Sequence, residues 1–353
     1  MSFFTSNTTI VVAIIAAIAS VVAALVSALI SWTTARSSRI AAERLEEQKG
    51  RLSKELASET AHLAQVSAER DARRDYEYDA RKRLYAVIEP LLFQLYEALE
   101  EAHYRVRSLA RTSRDNRLLD WLYPNGYYLN STVYKLICPA VFLRLMQRQM
   151  TFVDMRVDET IRIRYQLLKL YSRSLTDDFV IAPTKPPLQY DPNNEQWREL
   201  KSKDSATYMR QALVLGDLEN ICDALIVVDA DHCARAKTFS EFEAYLANSA
   251  NDESMQEILT LFTGFSPIGR PVLARLLVAQ AVMAQLILST YGQETEVKDL
   301  PKRLESIVNS QTAKQALAWQ NGVACGDLPI ALAYWKERLS WLQARDSWIE
   351  ADV

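Results

Sequence analysis

Histidine is scarce in this chain. Among 353 residues there are three, His62, His103 and His232, too few for a metal site built on several imidazoles. The four cysteines, Cys138, Cys222, Cys233 and Cys325, form no CxxC pair. That scatter excludes a zinc knuckle and a disulfide framework, and it suits a reducing compartment. No Walker loop, GxGxxG, GxSxG, HExxH or EF-hand pattern occurs, so the common phosphate-cradling, hydrolytic and metal-binding motifs are all missing. No cofactor is expected. Basic side chains are absent from the start of the chain as well, and Arg36 is the first.

What fills that start is "IVVAIIAAIASVVAALVSALISW", residues 10–32. A bilayer's hydrocarbon core calls for about 20 apolar residues in a helix. A signal peptide has an apolar stretch of about 7 to 15 residues behind a basic leader, and "MSFFTSNTT" has no Lys or Arg. The expectation is therefore a single retained transmembrane helix at 10–32, preceded by a short extracytoplasmic segment, 1–9. Phe3, Phe4 and Trp32 fall where aromatic belts form, and Arg36 and Arg39 follow at the interface. Positive charge stays on the cytoplasmic side. Arg36, Arg39, Arg44, Lys49 and Arg51 thus place the N-terminus outside and the bulk of the chain in the cytoplasm of a bacterium, at the plasma (inner) membrane. Ala13, Ala17, Ser20, Ala24 and Ala28 form a small-residue face of the kind that lets membrane helices approach closely.

Residues 33–77 read as a coiled-coil-like stalk. Ala42, Leu45, Leu52, Leu56, Leu63 and Val66 take a and d positions, with Lys49, Glu59, Arg70 and Arg73 in the same seam. The seam is imperfect, and a lone solvated helix laced with i,i+4 ion pairs is the competing reading. A helix of this kind is marginal alone in water, so Leu45, Leu52, Leu56, Leu63 and Val66 are expected to hold a homo-oligomer together. Gly50, followed by Ser53, is a place where the helix could break or bend.

Beyond the stalk the pattern is helical throughout. Ile88, Leu92, Leu95, Leu99, Ala102, Val106 and Leu109 mark an amphipathic face, with a kink expected at Pro90. Pro124-Asn125-Gly126 marks a turn, and a helix is expected over 133–150, started or kinked at Pro139. Another follows along Val153, Val157, Ile161, Leu168, Tyr171 and Leu175. Pro183, Pro186, Pro187 and Pro192 make 176–205 a linker or loop between a basic helical region, 78–175, and an acidic one, 206–353. Val214, Leu218, Ile221, Leu225 and Val228 predict a helix through "ALIVVDAD", in preference to a buried strand. Thr238 and Glu241 form a capping box. The apolar run from Pro271 holds Arg275, Gln280 and Gln285, which favours a buried core helix over a second membrane span. Tyr334, Trp341 and Trp348 recur every seventh residue as a docking face. The fold class is all-α: an N-terminal transmembrane helix, a charged stalk and a helical cytoplasmic domain.

Chemistry is thinly represented. Asp229, Asp231, His232 and Cys233 offer mixed metal ligands, but ligands so crowded cannot all converge, and a helix end with acids facing water is preferred. "GFSPIGRP" places two glycines before a helix start without the Lys-Ser/Thr of a phosphate loop. Net charge is about +7 over residues 101–175 and about −9 over 176–353. Arg107, Arg111 and Arg114 share one helix face; Arg162, Lys169 and Arg173 share another. These could meet an anionic partner or pair with the acidic half of the same chain. Nucleic acid is disfavoured, because no recognised binding module is present. The function expected is a membrane-anchored scaffold that binds a cytoplasmic protein without catalysis. The alternatives are an oligomeric membrane effector forming a pore, in stress or phage defence, and an enzyme using the Asp229 to Cys233 cluster.

Overall fold

The first helix, α1 (Thr5–Arg114), is uninterrupted because almost nothing in its sequence can interrupt it. Gly50 is the one glycine it contains and Pro90 the one proline. A single helical glycine costs about 1 kcal/mol relative to alanine. Gly50 sits among the strong helix formers Glu46, Glu47, Gln48, Lys49, Arg51 and Leu52, and the helix runs through it. Pro90 removes one amide donor, but the side chains around it, Ile88, Leu91, Leu92 and Leu95, are all buried, and packing carries the helix onward.

The computed structural model describes residues 5–150, 154–185, 187–200, 203–230, 234–248, 252–293, 295–319 and 328–351. These are mostly helical, 79% helix against 2% strand. The chain divides into two units, Met1–Tyr76 and Glu77–Val353. In the first, α1 exposes its side chains from Ile10 to Gln65, apolar ones included.

In the second unit, α1 buries Leu84, Ile88, Leu92, Leu95, Leu99, Ala102, Val106 and Leu109, the stripe that the periodicity marks. A short helix, α2 (Leu118–Trp121), leads to the turn at Asn125, whose φ is 60°. Gly126 then opens α3 (Tyr127–Gln149), and the Tyr123 ring lies 2.9 Å from where a Cβ on Gly126 would stand, so the ring and any larger residue exclude each other. The helix starts here, not at Pro139, and continues through that proline. Asp158 caps α4 (Glu159–Ser174) by accepting the Ile161 amide at 2.9 Å.

The proline-rich stretch lies inside this unit rather than between two others. It holds α5 (Asp178–Ile181) and α6 (Trp197–Leu200), with Asp178, Ile181 and Ala182 buried, and leads to α7 (Ser205–Tyr208). The helix expected through "ALIVVDAD" stops early. Helix α8 (Leu215–Ala224) ends at Leu225, and β1 (Ile226–Val228) pairs antiparallel with β2 (Ala234–Ala236), Val227 opposite Arg235. Three consecutive β-branched residues prefer the extended form, and the Lys237 amide locks it by donating to the Leu225 carbonyl at 2.8 Å.

Then come α9 (Phe239–Asn248), α10 (Glu253–Phe262), α11 (Pro271–Ser289), α12 (Leu300–Asn309), α13 (Gln311–Ala316) and α14 (Leu328–Ala351). The centre of the unit is α11, long and apolar enough to cross a membrane but buried among α4, α5, α12 and α14. Arg275 and Gln280 on it are each 1% exposed.

Candidate functional site

The residues assigned to the membrane and to the seam lie on α1. Phe3 and Phe4 lie outside the described residues. Trp32 is exposed, and the Arg36 guanidinium stands over its ring at 5.4 Å, one helical turn on; Arg39 is exposed on the next turn. Leu45, Leu52, Leu56 and Leu63 are between 53% and 66% exposed, and Val66 is half-buried. Around them the charges pair locally along the helix, Arg51 with Glu47 at 2.9 Å and Arg74 with Asp71 at 3.1 Å.

The basic residues are dispersed over several roles. Arg107 lies over the Tyr104 ring at 5.5 Å, and Arg111 is exposed. Arg114 donates from Nη1 to the carbonyls of Gln315 at 3.2 Å and Ala318 at 2.5 Å, a cation at the C-terminal end of α13. On α4, Arg162 pairs with Glu159 at 3.2 Å, and Lys169 stands over the Tyr165 ring at 5.7 Å. Lys169 and Arg173 also border a shallow hollow of about 80 Å³ with Arg144. Arg144 in turn grips Asp223 with both arms of its fork, at 2.7 and 2.9 Å, and Arg148 adds a third bond at 2.8 Å. This set joins the basic α3 to the acidic α8 and holds the Asp223 carboxyl below its ordinary range.

Of the mixed-ligand cluster only Asp229 is described; Asp231, His232 and Cys233 lie outside the described residues. Asp229 forms an ion pair with Arg235 at 3.0 Å, and Arg235 continues to Glu241 at 2.8 Å. Glu241 accepts the Thr238 amide at 2.8 Å while its own amide reaches the Thr238 hydroxyl at 3.3 Å, so the capping box is formed. At the end of the glycine loop before α11, the Arg270 Nη1 donates back to the carbonyls of Leu261 and Thr263 at the end of α10, the latter at 3.0 Å. In the seven-residue aromatic row, Tyr334 is buried and Trp341 is exposed under the Arg338 guanidinium at 4.9 Å; the Trp348 side chain is not among those described.

A cleft between α10 and the end of α7 was not foreseen from sequence. It has a volume of about 320 Å³ and is lined by Pro192, Tyr208, Met209, Arg210, Glu253, Gln256, Glu257, Thr260 and Leu261. Ser254 and Glu257, three apart and so on one face of α10, both reach Asp217 in the first turn of α8. The Ser254 hydroxyl donates to Asp217 Oδ1 at 2.9 Å, and the Glu257 carboxyl shares a hydrogen bond with the Asp217 side chain. Burial first, then that bond and the Asp217 charge, push the Glu257 carboxyl up to about 7, with Arg210 opposing.

From Arg210, one of the lining residues, a polar chain runs inward. Arg210 Nε lies 3.9 Å from the wholly buried Asp178, which accepts the Tyr190 hydroxyl at 2.8 Å. Gln211, also buried, accepts the first free amides of α11, Val272 at 2.8 Å and Leu273 at 3.3 Å. No spacing in the sequence announces this cleft, because its lining comes from Pro192, from the end of α7 and from α10, with α8, the hairpin and α9 between them. Comparison of the chain with protein-family models, with curated proteins and with solved structures finds no match.

Proposed function

We propose that the chain is a membrane-anchored scaffold. Residues 10–32 span the membrane with the N-terminus outside. Residues 33–77 bring copies together as a coiled coil. The helical unit from Glu77 onward offers a binding surface to a cytoplasmic protein and performs no catalysis. The observation that carries this reading is the exposure of α1: a run of apolar side chains from residue 10 to residue 30, then Leu45, Leu52, Leu56 and Leu63, all open to solvent in a single copy. Burying one leucine is worth roughly 1.5 to 3 kcal/mol. A soluble monomer would forgo that for every one of them, whereas a bilayer and a second copy recover it.

Carbonate washing of membranes, followed by cross-linking, tests both parts. The full chain should stay in the membrane pellet and yield cross-linked dimers or larger species. A chain lacking residues 1–32 should move to the wash. Release of the full chain by carbonate would refute the anchor, and cross-linking confined to monomer would refute the assembly.

A further inference from the structure

The hollow bordered by Arg144, Lys169 and Arg173 lies where α3, α4 and α8 meet, and it presents hydrogen-bond donors that the fold itself leaves unused. We propose that it binds a phosphate monoester group, held by the Arg173 guanidinium, the Ser172 hydroxyl and the Gln147 amide.

Each helix gives the hollow one face. Along α3 the lining residues Ala140, Leu143, Arg144 and Gln147 repeat at three and four, and along α4 so do Lys169, Ser172 and Arg173. Rows of that spacing turn their side chains to one side, here toward the hollow, which Leu215 and Leu218 close from α8. Ser172 carries the argument. It is only 9% exposed. Its neighbours Ser174 and Thr176 donate back to the carbonyls of Tyr171 and Arg173, at 2.6 and 2.8 Å, the usual resort of such hydroxyls. The Ser172 hydroxyl makes no such bond, nor any other among the described residues. A hydroxyl so buried and unpartnered costs free energy, and a ligand oxygen in the hollow would supply the partner. The Gln147 amide and the Arg173 guanidinium likewise have no hydrogen bond or ion pair among the described residues. Arg144 commits Nε and Nη2 to Asp223, which leaves its Nη1 over.

Charge and size select the ligand. Arg144, Lys169 and Arg173 line the hollow against one carboxylate, the exposed Glu219. Arg144 and Arg148 share Asp223 between them, so that pairing also leaves positive charge over. An anion is favoured. A volume of about 80 Å³ holds a few waters or one compact oxyanion and excludes a larger body. A carboxylate has two oxygens in one plane, too few for donors that arrive from both α3 and α4. A phosphate monoester presents three strong acceptor oxygens, enough for the Arg173 fork, Ser172 and Gln147 together. Leu215, 45% exposed, offers the ester arm an apolar surface. Burial pushes the Cys222 thiol, also in the lining, up to about 12, so it stays protonated and leaves the ester intact.

The test uses the full chain in nonionic detergent and phosphate-free buffer, with phenyl phosphate as the probe and benzoate as the planar anion. Calorimetry should show phenyl phosphate binding about tenfold tighter than benzoate, or more. Ser172→Ala and Arg173→Gln should each weaken it about tenfold. Arg111→Gln, at an exposed arginine outside the hollow, should change it less than about threefold, which separates a built site from general attraction to a basic surface. If the variants fail to fold, the parent alone gives the answer: phenyl phosphate, unlike benzoate, should slow modification of Arg173 by phenylglyoxal about fivefold, as read by peptide mass spectrometry. Competition then tells the source. Displacement of the probe by glycerol phosphate assigns the site to a soluble phosphate, and displacement only by phosphatidic acid in mixed micelles assigns it to a lipid headgroup; both uphold the proposal. It is overturned by absence of binding at millimolar concentration, by equal binding of benzoate, or by displacement with neither competitor. Folded variants that bind as the parent does, or an Arg173 left unprotected, would overturn it too.

Discussion

Arg275 shows how a single side chain can organise the centre of the second unit. It is 1% exposed on the most buried helix, and its Nη1 donates to the carbonyls of Ala182 at 2.9 Å and Ile181 at 3.3 Å, at the C-terminal end of α5. A cation is favourable there, beside the Thr184 hydroxyl on the Ile181 carbonyl at 2.6 Å and the Leu188 amide on the Ala182 carbonyl at 3.2 Å. Arg275→Ala removes a buried, hydrogen-bonded side chain and should cost about 3 kcal/mol in urea unfolding of the detergent-solubilised chain; a loss below about 1 kcal/mol would show that the bonds from Thr184 and Leu188 suffice for those carbonyls. The capping box gives a smaller effect. Thr238→Ala should cost about 1 kcal/mol. Arg235 first, then the Thr238 amide, holds the Glu241 carboxyl down to about 2. A lowered carboxyl contributes stability above its unfolded value near 4.5 and loses it as pH falls toward 2. Glu241→Gln should flatten the stability profile across that acid window and leave the profile between pH 6 and 8 unchanged. The box was legible in the sequence, since Thr238 and Glu241 lie three residues apart. The anchoring of Arg275 was legible only as an exclusion: a charge inside an apolar run argued against lipid, but its partners on α5 are far away in the chain.

At the level of elements, legibility follows periodicity. The face of α1 from Ile88 to Leu109 is buried as its spacing demands, because a half-buried helix must repeat every three or four residues. The hairpin escaped that logic. Leu225 and Val228 fit the helical stripe of α8, but Ile226 and Val227 between them fill the other face, and β-branching settles the conformation in favour of β1. The stalk is the element whose partner is proposed. Lys49, Glu59, Arg70 and Arg73 interrupt the seam and weaken it, and confinement in one bilayer raises the effective concentration that compensates. Light scattering of the full chain in detergent should report a dimer or larger. Leu52/Leu56/Leu63→Ser should shift it toward monomer. If the parent is monomeric at micromolar concentration, the stalk is a plain solvated helix. Lengthening the small-residue face (Ala17, Ser20 and Ala24→Leu) separates scaffold from pore: altered membrane leakage would favour the pore.

For the whole molecule the decisive property is orientation, and the argument rests on an imbalance in the sequence rather than on any contact. Ahead of residue 10 there is no basic side chain; after Trp32 come Arg36, Arg39, Arg44, Lys49 and Arg51. On the proposed orientation these flanking charges decide which end stays in the cytoplasm. Local pairing does not cancel them: Arg36 leans on Trp32, and Arg51 meets Glu47 only at a highly exposed position, where an ion pair is worth little. In that orientation the negatively charged cytoplasmic leaflet would add about 1 kcal/mol for each basic residue near its surface and hold the same end in place after insertion. A fluorescent reporter that matures only in the cytosol, fused after Val353, should glow, and alkaline phosphatase fused at the same point should be inactive. Replacing Arg36, Arg39 and Arg44 by Gln while placing Lys at positions 2, 6 and 7 should move a measurable fraction of molecules to the opposite orientation, read as gained phosphatase activity. Activity of the phosphatase in the unaltered chain would place the helical unit, and the cleft beside α10 with it, outside the cell. The partner of a surface so placed would then have to be sought there.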